Sequence, residues 1–593
     1  MASVDDIFKT DLAKSAGLSG KRKLEPAKDP NEIYKSSKRA ADDSRRHARV
    51  QNGDDEEEAG PSPPADDDTE AGPGLPPQDD DDGDNGDDEE GRFFGGGISQ
   101  QESRVLDYVD GAAAEADRVT DKIDIGWLRK TAANLDKHIA KNAELRAKFE
   151  AEPQKFIGSE ADLDADIKGL SILSEHPALY PDFVKLGCAA SLVGLLAHEN
   201  TDIAIDAMEI VGELTDEDVS ADDGHWNALA DALVDADLLG LLVSNLSRLD
   251  EDDEADRHGV YHALAIMESL CSRPATATRI GQQDGLLPWL LRRIQRKESP
   301  VTQNKQYAAE IVAILAQSST ATRQAMADRD AVDTMLQLVA PYRNRDPESG
   351  GEEEEYMENL FEALTCLVDE SFGKAKFVDA EGAELCLIML KEGKRSKAPA
   401  LRLLDHAVAS RAGADTCVKL VNAGGLKAVF TLFAKTQDHR LLEHILSILA
   451  SLLRLLPART AERIRTLAKF IEKDYAKVAK LVKLHRDYSG RVERAAESYR
   501  VPADDPAEAE VELLSLRLDA GLCTLQQIDV SLAWLAAEDV GARQRIQQLL
   551  AERDEDLTTV AAVVREQLSS LDTTDEDNRD VSEMLGTLLE FLQ

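Results

Sequence analysis

The sequence predicts an all-α repeat protein, and three observations carry that expectation. The 593 residues are rich in Leu, Ala, Asp and Glu, with 42% hydrophobic but only 5% aromatic residues, a composition that favours helices over sheets. From about Arg104 onward the apolar residues recur at helical spacing. A small residue followed by a Leu/Val-rich helix then recurs at Gly187, Ala236, Gly285, Ala331, Gly382 and Gly424, at intervals of 49, 49, 46, 51 and 42 residues. Those lengths lie at or slightly above the roughly 40–47 residues of armadillo and HEAT units. The expected fold is an armadillo/HEAT-like α-solenoid superhelix behind a disordered acidic N-terminal tail.

Taken in order, residues 1–98 form the expected tail. Six prolines between Pro61 and Pro77 lie among runs such as Asp79 to Asp82 and Asp87 to Glu90, too polar to offset chain entropy by burial. Lys21, Arg22, Lys23, Lys38, Arg39, Arg45 and Arg46 cluster there and read as a nuclear-localisation signal for an import receptor; a merely solubilising tail is the alternative. Residues 104–180 are expected to be N-terminal capping helices. Within them a helix from Trp127 to Lys148 has a basic side (Arg129, Lys130, Lys137, Lys141, Arg146, Lys148) and apolar contacts from Trp127, Leu128, Leu135 and Leu145. It caps the array or docks against acidic repeats.

Residues 181–500 carry the repeats. After each small-residue helix comes a polar turn and a longer helix with its own apolar stripe. Ile203, Ala207, Ile210, Val211 and Leu214 set the pattern, which recurs through Val260, Leu264 and Met267, Tyr307 and Ile311, Met357 and Phe361, and Leu442 to Leu453. One stripe per helix cannot fold alone, so units must stack into a continuous core beside a concave groove. Acidic stretches Asp250 to Asp256 and Asp346 to Glu355 read as surface insertions. Pro502 and Pro506 mark a break, and residues 501–593 are expected to cap the C-terminal end, with helices near Leu513 to Ala537, Val540 to Glu552, Asp556 to Leu568 and Val581 to Leu592.

Charge narrows the function. The formal net charge is −45; residues 1–50 hold 12 Lys/Arg against 8 Asp/Glu, and residues 51–91 hold 18 Asp/Glu and no base. The repeat region is therefore acidic too, which disfavours direct nucleic-acid binding. No apolar stretch is long enough for a membrane span, so a soluble protein is expected. The six cysteines are scattered without a C-x-x-C pair, which points to a reducing compartment. No phosphate-binding loop or G-x-S-x-G string is present. His439 and His444 are five residues apart, about 140° around a helix, which a shared metal does not suit. No enzyme, cofactor or metal site is expected.

Asp202, Asp206, Glu209 and Glu213 fall at i, i+4, i+7 and i+11, opposite the apolar stripe of their helix. Glu268, Glu310, Glu358, Glu362, Asp405 and Glu443 recur on the corresponding later helices. On a groove wall they would make a negative strip for an extended Lys/Arg-rich peptide; an ordinary solvated face is the alternative at any one position.

Several strings add a resemblance. Lys141 to Phe149, Pro153 to Phe156, Ser159 to Leu163, His198 to Ile203, Glu213 to Asp216, Gln283 to Leu291, Glu358 to Phe361, Leu404 to Ala407, Ser447 to Arg454 and Arg517 to Leu522 resemble, in order, the beta-catenin-like protein 1 family over about residues 125–593. The resemblance implies a nuclear armadillo-like scaffold of the pre-mRNA splicing machinery, within the Prp19-centred complex, that binds basic nuclear-localisation-type segments of partners and self-associates as a homodimer. This chain departs from it in a longer Asp/Pro/Gly-rich N-terminal tract and a shorter connection near Lys435 to Arg440. An importin-α-like transport adaptor is the alternative. That class grips peptides with a Trp/Asn ladder, and the tryptophans here are only Trp127, Trp226, Trp289 and Trp534.

Overall fold

The computed structural model describes residues 122–499, 506–571 and 576–593, and every regular element among them is a helix or a short 3-10 turn. The chain enters through α1 (Ile125–Lys148), α2 (Ile157–Lys168) and 3-10 turns at Pro153–Lys155, Ser171–Glu175 and Pro177–Leu179. Helical triplets follow: α3 (Tyr180–Lys185), α4 (Cys188–Leu195), α5 (Thr201–Thr215); α6 (Asp223–Asp235), α7 (Leu238–Arg248), α8 (Glu254–Cys271); α9 (Pro274–Gly281), α10 (Leu286–Gln295), α11 (Gln303–Ser318). They continue as α12 (Thr320–Ala327), α13 (Ala331–Val339), α14 (Glu352–Asp369); α15 (Ser371–Asp379), α16 (Gly382–Glu392), α17 (Lys397–Val408); α18 (Ala414–Asn422), α19 (Leu426–Lys435), α20 (His439–Leu455). The C-terminal part holds α21 (Ala461–Ser498), α22 (Pro506–Asp519), α23 (Leu522–Glu538), α24 (Val540–Ala551), α25 (Leu557–Ser570) and α26 (Glu576–Phe591). The tail and its basic clusters, and residues 104–121 of the expected cap, lie outside the described residues.

The triplets stack like with like. The third helices form one row in which α2, α5, α8, α11, α14, α17, α20 and α23 each pack on the next. The second helices run parallel to it from α7 through α10 and α13 to α16 and α19, the 3-10 turn Ala340–Arg343 bridging α13 and α16. The stripes read from the sequence are the core: Ile203, Ala207, Ile210, Val211, Leu214, Val260, Leu264, Met267, Ile311, Met357, Phe361 and Leu446 are all buried. Buried polar groups tie neighbouring units together, as buried donors must find acceptors. The Tyr180 hydroxyl donates to the Leu214 carbonyl at 2.9 Å, Asn245 Nδ2 to the Leu196 carbonyl at 2.9 Å, and the Tyr356 hydroxyl to the Ile294 carbonyl at 2.8 Å.

The recurring small residue has a conformational cause. Each second helix is entered through a residue with positive φ: Gly187 (82°), Asp237 (66°), Gly285 (84°), Asp330 (55°), Glu381 (55°) and Gly424 (75°). The left-handed region turns the first helix sharply into the second, and glycine adopts it without a Cβ penalty. Where an acidic residue holds that position, the small residue flanks it, so the periodic signal survives.

Two expectations are corrected. The stretch Leu513 to Ala537 is not one helix, because Gly521 (φ 99°) ends α22 and starts α23, and a Cβ there would stand 2.7 Å from the Tyr488 ring. The helix α23 then extends the row of third helices instead of only covering its end. Nor are the acidic stretches mere surface insertions. Asp253 caps α8 through the amides of Ala255 and Asp256, and Glu352 to Glu355 form the first turn of α14, where carboxylates complement the helix dipole. Glu251 holds the buried Arg293, with Nε to Oε1 at 2.6 Å, and Glu298 takes Nη1 at 3.0 Å. That network joins the turn before α8 to the end of α10.

Close approach at the α15–α16 turn gives a stability test. A Cβ on Gly382 would lie 2.3 Å from the Phe377 ring, so Gly382→Ala is expected to cost about 1–3 kcal/mol by overpacking. Glu381→Gly relieves a left-handed residue and is expected to stabilise by about 1 kcal/mol. Urea unfolding of both variants checks the opposite signs.

Candidate functional site

The predicted acidic residues do share one row of helices, but the structure divides them into two electrostatically different groups. Toward the C-terminal end several carboxylates already have side-chain partners on neighbouring helices. Glu362 on α14 accepts from Arg402 on α17, Nη1 to Oε2 at 2.7 Å and Nη2 to Oε1 at 3.2 Å. Asp405 on α17 meets His444 Nδ1 on α20 at 2.9 Å. Asp369 faces His406 at 3.3 Å, and Glu370 pairs with Arg323 at 2.7 Å. The Glu362, Asp405 and Asp369 contacts link successive units, and a basic ligand gains little from a charge that is already matched, as that of Glu362 is by Arg402.

In the middle of the row, Glu310 on α11 is buried, with Gln306 Nε2 3.4 Å from its Oε2; it does not line an open surface. Glu268 on α8 accepts from the Tyr307 hydroxyl. Glu358 is exposed, with partial burial and Glu355 raising its pKa. Glu443 on α20 is half-buried; burial and then Glu443 raise the Tyr488 hydroxyl and the Cys523 thiol. His439 and His444 take separate partners, Tyr488 and Asp405. Among the described residues no group of His, Cys, Asp or Glu is placed to hold a metal ion, and no single helix is long and apolar enough to cross a membrane.

The helix α5 is different. Asn200 caps it, accepting from the Asp202 amide at 3.0 Å, and Asp202 is exposed in its first turn. One turn on, Asp206 stands against Asp164 and Lys168 of α2, with Lys168 Nζ 3.4 Å away. Burial, reinforced by a hydrogen bond with the Asp164 carboxyl, pushes Asp206 up to about 7. Burial and then Glu213 raise Glu209, while the Glu213 Oε2 is buried without a hydrogen-bond partner. On the next third helix, burial and then His258 hold His262 down at about 4, so it adds no positive charge at pH 7. Among the described residues, the cation in contact with this face of α5 is Lys168, shared with Asp164 at 2.5 Å. Four carboxyls crowd one helix face with too few cations, an arrangement that favours an incoming positive charge.

Asp164 and Lys168 were invisible to repeat arithmetic because α2 precedes the first recognisable unit. Their signal was the i, i+4 spacing on a helix read only as a cap. The basic side of α1 is likewise turned to structure in part: Lys141 reaches Asp162 at 2.8 Å, and Arg146 bridges Glu160 and Glu199.

Comparison with known proteins now bears on this row of helices. Residues 103–565 match the family described as "Catenin-beta-like, Arm-motif containing nuclear". The chain belongs to that family. It is 39% identical over 463 residues to the beta-catenin-like protein 1 homolog of Schizosaccharomyces pombe, covering 78% of this chain and 81% of that protein. It is 38% identical over 467 residues to human beta-catenin-like protein 1, covering 75% and 82%. Among solved structures, an engineered protein superposes with a TM-score of 0.46 at 16% identity, over 73% of this chain and 95% of its own. The resemblance read from short strings is thus a family relationship, and the Arm motif is the triplet stack described above. The matched span runs from before α1 into α25, so α1 and α2 are integral to the family's fold.

The Asp164/Asp206 pair gives a prediction with a definite sign. An acid whose folded pKa is raised binds more protons folded than unfolded between its two pKa values, so its favourable contribution is complete at about pH 4 and is lost as pH rises through about 7. Asp206→Asn, which cannot ionise, is therefore expected to unfold at a higher temperature than wild type at pH 8. The difference vanishes near pH 4. Thermal unfolding of both proteins across that range is the measurement.

Proposed function

We propose that this protein is a non-enzymatic nuclear scaffold of the pre-mRNA splicing machinery that docks Lys/Arg-rich, nuclear-localisation-type segments of partner proteins on the third helices near the N-terminal end of its array. The observation that carries the reading is the under-compensated carboxylate face of α5: Asp202, Asp206, Glu209 and Glu213, with Lys168 the one cation in contact with it among the described residues. Family membership supports the nuclear setting through the family's own description. Splicing partners and self-association come from the family resemblance in the sequence. In the C-terminal half of the row, contacts such as Glu362 with Arg402 and Asp405 with His444 link successive units.

The transport-adaptor alternative gains no support. None of the third helices α5, α8, α11, α14, α17 and α20 carries a tryptophan. Trp289 is on the second helix α10, and Trp534 lies on α23 beneath the Arg463 guanidinium, 4.8 Å from its ring. A repeated aromatic ladder for an extended peptide is not built on this face.

The test is charge reversal. Asp206→Lys with Glu209→Lys and Glu213→Lys is expected to weaken binding of a labelled Lys/Arg-rich peptide at least tenfold, and raising salt from 50 to 500 mM is expected to weaken wild-type binding likewise. Reversal of Glu362 and Asp405 should lower stability instead. Fluorescence anisotropy with parallel unfolding curves separates these outcomes, and unchanged affinity in the α5 variant refutes the reading. In nuclear extract, the wild-type protein is expected to recover Prp19-complex proteins and the variant to lose them.

A further inference from the structure

At the N-terminal end of the stack a cleft of about 630 Å³ lies between α1 and α4, within the roughly 300–1,000 Å³ of preformed ligand clefts. Its floor is apolar, formed by Ile139, Phe156 and Leu195. Its walls carry side chains too small to fill it: Ala143 on α1, Gly194 on α4 and Ala197 just beyond. A Cβ added to Gly194 meets no atom within 4 Å, so the space beside it is open.

The cleft is rigid at its base. The buried amide of Asn142 donates to Ser159 Oγ at 3.1 Å, and its Oδ1 lies 3.1 Å from His198 Nε2. Burial holds His198 below the usual imidazole range, so the ring brings no charge. The rim is acidic, with Asp136, Glu150 and Glu199. Its one cation, Arg146, is committed to Glu160 and Glu199 and lies over the Phe156 ring at 4.8 Å. Glu199 stands three positions before Asp202, so the rim leads through the Asn200 cap onto the acidic face of α5.

We propose that this cleft seats an apolar side chain of the same Lys/Arg-rich segment that lies along α5, with its flanking cations meeting Asp136 and Glu150. The inference rests on the reading of the α5 face and adds to it a source of selectivity. Charge complementarity steers and orients a basic segment but discriminates poorly among basic sequences. Burying one leucine on Ile139, Phe156 and Leu195 supplies a preference of about tenfold or more over a polar residue. A segment of lysines and arginines alone would leave the apolar floor wet and bind less tightly.

The test uses the full chain and two labelled peptides of equal charge, Lys-Arg-Lys-Leu-Lys-Arg-Lys and the same peptide with Ser for Leu. Wild type is expected to bind the leucine peptide about tenfold more tightly. Gly194→Phe plugs the cleft from an exposed, open position; it is expected to bring the two peptides to parity at the affinity of the serine peptide. Gly194→Ala leaves the cleft open and should discriminate as wild type does, which separates plugging from any effect of losing glycine. Equal binding of both peptides to wild type, or discrimination that persists in Gly194→Phe, overturns the proposal. If both peptides bind equally and D206K/E209K/E213K abolishes it, the cleft inference falls and the α5 reading stands. If neither binds wild type, both fall.

Discussion

One constraint organises this molecule: each third helix has an apolar stripe too wide to be covered within its own triplet, so it must be shielded by the third helices before and after it. Ile203, Ile210 and Leu214 on α5, Leu264 on α8 and Ile311 on α11 are all buried, and the helices that carry them pack successively. Hydrophobic burial between identical elements is non-directional, and register comes from other groups. The left-handed residue before each second helix sets the turn, and hydrogen bonds such as Tyr180 to Leu214 and Tyr356 to Ile294 fix how far one unit slides on the next.

The same stacking decides which charges remain available. Third helices lie side by side, so an acidic residue on one is within reach of a basic residue on its neighbour. Arg402 pairs with Glu362, and His444 meets one oxygen of Asp405. Around α5 the neighbours are different. The preceding helix, α2, brings Asp164 as well as Lys168, and the following one brings His262, held neutral by burial. A uniform acidic pattern along the sequence thus becomes a paired region that joins units and an unmatched region suited to a cationic segment. The cleft between α1 and α4 adjoins the unmatched region, which places an apolar seat and a carboxylate face at one end of the array.

Much of this was legible in the sequence for physical reasons that act locally. Helical periodicity, the 42- to 51-residue recurrence and the small residues at unit joints report backbone and stripe geometry, which residues within one unit determine. The acidic positions on the third helices were legible by the same arithmetic. What could not be read was their pairing. Glu310 and Glu209 occupy equivalent sequence contexts, yet Glu310 is buried and Glu209 lies on the half-exposed α5 face. Likewise the acidic stretch at Glu251 has the composition of a solvated loop, but it closes over Arg293, which is brought to it from 42 residues away.

The sequence by itself determined the helical class, the repeat, the family and the sign of the surface charge, because each depends on spacing within a unit or on composition. Tertiary structure alone decided which carboxylates meet cations, that α2 supplies Asp164 and Lys168 to the α5 face, that Gly521 turns α23 back into the row of third helices, and that Ala143 and Gly194 flank an open cleft. Those outcomes depend on contacts between units, where distance in the chain carries no information about distance in space.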